Sequence, residues 1–180
     1  MDLQRQFKYL DNAFEISDGI FIQEGTYENW ELSLDARTSG RRVVSGRAQV
    51  RRGGFWSGDR TELQIGLDVR PSPGVILSAE VENNDVVLPQ GSFVARLFRL
   101  AGEWNITPLA NLTGNVQYDD VSEVVGLFMR ARWIITPGND LYLVFTQNWQ
   151  NLGDGLFDND REFLTLSRGA SMKLNYTYRL

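Results

Sequence analysis

The chain has 180 residues, a net charge of −5, no cysteine and no histidine. That length fits one domain. The missing residues exclude disulfides, thiolate metal sites and Ser–His nucleophilic catalysis, and the negative charge argues against a nucleic-acid partner. The basic residues are all arginine except Lys8 and Lys173. A planar guanidinium suits ion pairs with carboxylates in a confined space, although a high-GC genome gives the same bias. No run of about 18 apolar residues offers a membrane-spanning helix.

Taken in chain order, the segments read as strands. Leu3–Leu10 is the candidate first strand, with Ala13–Ile22 as the less favoured alternative. Trp30, Leu32, Leu34 and Ala36 then alternate with Glu31, Ser33, Asp35 and Arg37. Val44, Gly46, Ala48 and Val50 alternate with Ser45, Arg47, Gln49 and Arg51. Leu63, Ile65, Leu67 and Val69 alternate with Glu62, Gln64, Gly66 and Asp68, and Val75 to Val81 alternate with Ile76, Ser78, Glu80 and Glu82. Phe93–Ile106 is less clean and best fits one face carrying Phe98, Leu100, Gly102, Trp104 and Ile106. Ala110–Tyr118 and Val125–Ile135 alternate again, the second with Arg130 and Arg132 on its polar face. Leu141–Trp149 is apolar on both faces at its start. Met172, Leu174, Tyr176, Tyr178 and Leu180 alternate with Lys173, Asn175, Thr177 and Arg179. Alternate residues of a strand point to opposite faces, so each segment has one greasy side and one wet side.

The connections divide into two kinds. Thr38–Arg41, Pro71–Gly74, Thr107-Pro108 and Pro137–Asp140 are tight turns rich in Gly, Pro and Asn. Between them, 52–60, 84–92, 119–123 and 150–162 read as wider loops. Strict alternation of short turns and longer loops is how bacterial outer-membrane barrels are built, with lipid outside and a polar lumen inside. An unpaired backbone N–H in hydrocarbon costs several kcal/mol, so the strands must close, and antiparallel closure needs an even number. The expectation is therefore an all-β protein, an antiparallel transmembrane β-barrel of about ten strands, with eight as the runner-up. It forms a single domain over 1–180, in which 1–26 holds the first strand and a loop and 27–180 the core strands. Such a protein resides in the bacterial outer membrane. Met1–Phe7 lacks the basic-then-apolar pattern of a signal peptide. On this reading the chain is a mature form or the C-terminal part of something longer.

Several blocks occur in an order that resembles a known family. They are Phe14-Glu15-Ile16 with Ile22-Gln23-Glu24-Gly25-Thr26-Tyr27, then Arg70-Pro71-Ser72-Pro73, Gly91-Ser92-Phe93, Val116-Gln117-Tyr118 and Arg132–Leu141. Over residues 13–180 the chain resembles the C-terminal barrel region of a family of uncharacterised bacterial outer-membrane proteins. Members carry an N-terminal domain like family 9 carbohydrate-binding modules, which this chain lacks, so the resemblance implies no sugar-binding role. The family's usual terminal Phe is Leu180 here. The resemblance implies an outer-membrane barrel and transfers no catalytic residue.

Two sets of residues are candidate sites. Glu31, Asp35, Arg47, Arg51, Glu62, Asp68, Glu80, Arg130 and Arg132 are expected to form a lumen ion-pair network, joined by Arg37, Glu82 and Arg179. They fit either an ion-selective pore or the charged filling of a barrel too narrow to conduct, and the small strand number favours the filling. Tyr27, Trp30, Trp104, Trp133, Tyr176 and Tyr178 are expected to form an aromatic girdle rather than sugar-stacking platforms. The Asp154–Glu162 stretch lacks the turn glycine of a calcium loop and reads as a solvated outer loop. No catalytic residue, metal or cofactor is expected. The partners are the lipid bilayer and, in a larger assembly, other proteins. The function this implies is a membrane-embedded structural or anchoring component. The rivals are a narrow pore or transporter, a soluble calycin-like binding barrel, and a fragment completed by strands from elsewhere.

Overall fold

A computed structural model describes residues 1–153 and 162–177 of the chain. It contains twelve strands: β1 (Asp2–Leu10), β2 (Phe14–Ser17), β3 (Ile20–Ile22), β4 (Gly25–Arg37), β5 (Val44–Phe55), β6 (Gly58–Val69), β7 (Val75–Leu88), β8 (Gly91–Thr107), β9 (Ala110–Asp119), β10 (Val124–Thr136), β11 (Asn139–Asn151) and β12 (Phe163–Asn175). Ten of them form one sheet in the order β1-β4-β5-β6-β7-β8-β9-β10-β11-β12, while β2 and β3 pair with each other. The expected ten strands are present and the protein is all-β. β1 is the tenth strand, paired antiparallel to β4 from Asp2↔Ser33 to Leu10↔Gly25. The alternative at 13–22 is the separate β2–β3 hairpin. Residues alternating between apolar or β-branched and polar fit a pleated surface whose two sides meet different surroundings.

The expected contrast of short and long connections is corrected. Two of the supposed wide loops, 52–60 and 84–92, are two-residue turns, Trp56-Ser57 between β5 and β6 and Pro89-Gln90 between β7 and β8. The strands there run further than the clean alternation does. Trp56 takes a left-handed φ of 52°, unusual for a bulky residue and held by packing described below. At the C-terminal end, β12 begins at Phe163 and so includes only part of the Met172–Leu180 stretch. Tyr178, Arg179 and Leu180, and residues 154–161 of the Asp154–Glu162 loop, lie outside the described residues.

The chain divides into two compact units. The first comprises Met1–Thr38, Gly46–Gly66 and Val81–Arg96, and the second Ser39–Ser45, Leu67–Glu80 and Leu97–Leu180. In the first unit the only sizeable buried apolar cluster is Ile20, Ile22, Val86 and Leu88, with Leu10, Phe14, Ile16, Tyr27, Phe55, Trp56 and Phe93 packed on it. The β2–β3 hairpin supplies half of the buried side chains.

In the second unit the turns are stitched side by side. The Arg70 N–H donates to the Val43 carbonyl at 2.7 Å, Asn105 N–H to Gly74 at 2.7 Å, and Ile134 N–H to Leu109 at 2.7 Å. Thr177 closes the row, its N–H donating to Asn139 Oδ1 at 2.7 Å and its hydroxyl to the Gly138 carbonyl at 2.9 Å. The turns near Ser39, Pro73, Pro108 and Gly138 therefore lie together at one end of this unit, beside the end of β12. At its other end the Asn151 N–H bonds the Glu123 carbonyl.

Candidate functional site

The charged residues of the first unit converge on one buried carboxylate. Glu31 of β4, Arg51 of β5 and Arg60 and Glu62 of β6 share a face. Arg60 Nη2 lies 2.7 Å from Glu31 Oε2 and 3.6 Å from Glu62 Oε2. Arg51 donates to the other oxygen of Glu62, Oε1. The Glu62 side chain is 6% exposed and that of Glu31 14%. Removing carboxylates from water is costly, and two guanidinium groups bridging two of them offset that cost by satisfying several oxygens together. Arg47 lies on the same side of β5, its guanidinium against Gly66, where a Cβ would come within 2.7 Å of Nε. Asp35 sits at the exposed end of β4 and accepts a hydrogen bond from the Gln49 amide.

The second unit repeats the arrangement with different partners. Glu80, buried on β7, meets Arg99 Nη1 of β8 at 3.2 Å, and Arg99 Nη2 also donates to Gln117 Oε1 of β9 at 3.2 Å. Asp68 accepts from Ser78 Oγ at 2.6 Å. Arg132 of β10 pairs with Asp140 of β11 at 3.1 Å, its guanidinium 5.6 Å from the Tyr142 ring centre. Arg130 departs from the expected network: it is exposed and makes no ion pair among the described residues. It lines a cavity of about 660 Å³ with Arg132, Glu103, Asn105 and Asn111. Its cross-strand partners, Thr113 on β9 and Val144 on β11, carry no charge.

Two partners escaped the sequence reading. Arg60 shares the parity of Glu62 but fell inside the supposed loop 52–60. Arg99 alternates with Phe98 and Leu100, and the irregular apolar pattern of 93–106 hid its polar side.

The opposite face is apolar and open. In the first unit Leu34, Leu63 and Ile65 are exposed and Leu32 is half-buried. In the second, Leu67, Leu77, Met129 and Leu174 are exposed, with Leu112 and Leu127 half-buried. Cross-strand register arranges the second unit in rungs. Trp104, Leu112, Ala131, Leu143 and Met172 form one, and Gly102, Gly114, Met129, Phe145 and Ala170 the next. Leu100, Val116 and Leu127 continue it with Gln147 and Arg168, the two polar members, which hydrogen-bond each other at 3.2 Å.

The aromatic set is divided by the structure. Trp104 and Trp133 are exposed on the apolar face at the turn end, and Tyr176 is exposed just past β12. Trp30 is exposed on the first unit's apolar face with the Arg5 guanidinium 5.9 Å from its ring centre. Tyr27 is corrected. It lies three residues from Trp30 on the same strand, hence on the opposite face, and packs edge-on against Trp56 at 5.3 Å. Tyr178 is outside the described residues. A second row was missed: Phe98, Tyr118, Val125 and Trp149 are register partners at the far end of the second unit. Phe98 and Tyr118 stack there at 6.3 Å.

No family model matches the chain, and no curated protein matches it. Two chains of known structure do. One is a structure of the NanC porin in a rhombohedral crystal form, to which this chain is 8% identical with a TM-score of 0.46, covering 98% of this chain and 92% of that one.

Proposed function

We propose that the chain is a transmembrane β-barrel of the bacterial outer membrane, acting as the membrane-embedded structural or anchoring part of a larger assembly. One observation carries the reading: on the charged face the carboxylates Glu31 and Glu62 of the first unit and Glu80 of the second are covered, while in each unit the leucine-rich face is open. A soluble binding barrel reverses this, burying its apolar rungs. The spacing of the aromatic rows gives independent support. Trp133 and Val125, on the two rows, are eight residues apart along β10. That is roughly 26 Å of strand, or roughly 20 Å across a bilayer at a tilt of about 40°, close to the apolar band of outer-membrane barrels. In such a band the free edges of β1 and β12 have no water to bond, so they must pair. The dense ion pairing of Glu31, Arg60, Glu62 and Arg51 favours a filled interior over a transport path, and the resemblance to proteins with an added soluble domain favours anchoring. A narrow pore is the second reading, favoured by the cavity beside Arg130.

The test is solubility and depth. The protein should require detergent. Single-tryptophan variants in liposomes should show Trp104 and Trp133 quenched by brominated acyl chains and Trp56 unquenched. A detergent-independent monomer, or equal quenching of all three, overturns the reading.

A further inference from the structure

One charged residue stands on the apolar face of the second unit. Arg168 of β12 is the register partner of Gln147 on β11, in the rung that continues through Leu127, Val116 and Leu100. No other described strand residue on this face of the unit carries a charge. Arg168 is exposed and makes no ion pair among the described residues. Its Nε–H donates to Gln147 Oε1 at 3.2 Å, and Gln147 is itself buried. A guanidinium has five N–H donors. The bond to Gln147 therefore fixes the group and leaves its outer Nη fork without a partner among the described residues. Beside it on the same face a hollow of about 450 Å³ is lined by Ala131 and Ala170, with Met129, Leu143, Phe145 and Met172 around them. Ala170 is two residues from Arg168 on β12, a step of roughly 7 Å along the strand.

A cation on a lipid-facing surface is costly unless it reaches the headgroups or meets a counter-ion. The rung of Arg168 lies between that of Met129 and the aromatic row of Phe98, Tyr118, Val125 and Trp149. The residue thus sits one rung inside the headgroup level. Snorkelling alone accounts for the charge but not for the apolar hollow next to it. We propose that Arg168 and the Ala131–Ala170 hollow form a binding site for one anionic phospholipid, with its phosphate on the Nη fork and an acyl chain in the hollow. This rests on the membrane reading above and goes beyond it. Charge complementarity selects the lipid. The phosphodiester of phosphatidylglycerol is a monoanion, and one guanidinium pairs with it through two parallel hydrogen bonds. A glycolipid with several phosphates needs several cations, and this face offers one. The chain's net charge of −5 gives no general attraction for anionic lipid, so any preference is local to the site.

The experiment is native mass spectrometry of the protein released from detergent micelles that hold equal amounts of phosphatidylglycerol, phosphatidylcholine and a bisphosphorylated glycolipid. Heat-modifiable migration on gels reports folding. The native chain should retain one phosphatidylglycerol, several-fold over phosphatidylcholine. Arg168→Gln should abolish the preference, and Arg168→Lys, which keeps the charge but loses the fork, should keep part of it. Ala170→Phe fills the hollow and spares the guanidinium, and it should lower retention of both phospholipids. Arg168 and Ala170 are both exposed, so folding should survive each change. Equal retention of the two phospholipids by the native chain overturns the inference, as does a preference that persists in Arg168→Gln. Where Arg168→Gln does not fold, retention unchanged by Ala170→Phe overturns it. Retention of the glycolipid in place of phosphatidylglycerol overturns the assignment of the occupant. Failure of the membrane reading looks different: the chain stays soluble without detergent and enters no liposome.

Discussion

Replacing Met129 by arginine is expected to destabilise the folded protein in lipid by about 2–4 kcal/mol, the range for a cation on the lipid face near the bilayer midplane. Met129 sits on the middle of the apolar rungs, between Gly114 and Phe145. It is exposed at 39%, so the change is not one of core packing. In water an exposed Met-to-Arg substitution stays within about 0.5 kcal/mol. The size of the effect therefore reports the solvent itself. Urea titration of refolding into liposomes gives the number. A Met129→Arg variant as stable as the parent would mean that this face meets water.

Arg60→Leu is expected to cost about 3–5 kcal/mol, because it strands Glu31 and leaves Glu62 with one cation. The second substitution Glu31→Leu should return a large part of that loss, since it removes the carboxylate that Arg60 alone served. Arg130→Met serves as the contrast. Reading the sequence alone, Arg130 belongs to the network and its loss strands a carboxylate at a cost of about 2–4 kcal/mol. With no ion pair in the structure, its replacement should stay within about 0.5 kcal/mol. Equal losses at Arg60 and Arg130 in the same liposome titration would show that the two arginines hold equivalent positions.

The alternation of apolar and polar residues is enough to place nine strands and to separate Glu62 and Glu80 from Leu63 and Leu77, while β1 follows from the even number of strands that antiparallel closure needs. A parity rule works wherever the two sides of a strand meet different surroundings. It fails at Phe55-Trp56 and at Val86-Val87-Leu88, where both sides carry apolar groups because the β2–β3 hairpin covers the polar side. Loss of pattern there reads as loops, and Arg60 falls inside one of them. The Trp56-Ser57 turn also lacks the Asn-Gly or Asp-Gly signal of a tight hairpin. Residue type groups Tyr27 with Trp30, although an odd spacing puts them on opposite faces. The pairing of Arg99 with Glu80 rather than Arg130 depends on which strands are neighbours and in what register. No single segment records that.

The order of strands in the sheet has a consequence for assembly. Apart from the β2–β3 excursion, each strand's partner is the next in the chain, so successive hairpins close over short loops with little loss of chain freedom. In the closed barrel proposed above, the join of β1 to β12 would span nearly the whole polypeptide, pay the largest entropy and gain nothing until every other strand is in place. On that proposal the two ends of the chain set the clock for membrane entry. A lesion at Phe7 or Leu166 should slow insertion, whereas one in a central strand should speed extraction.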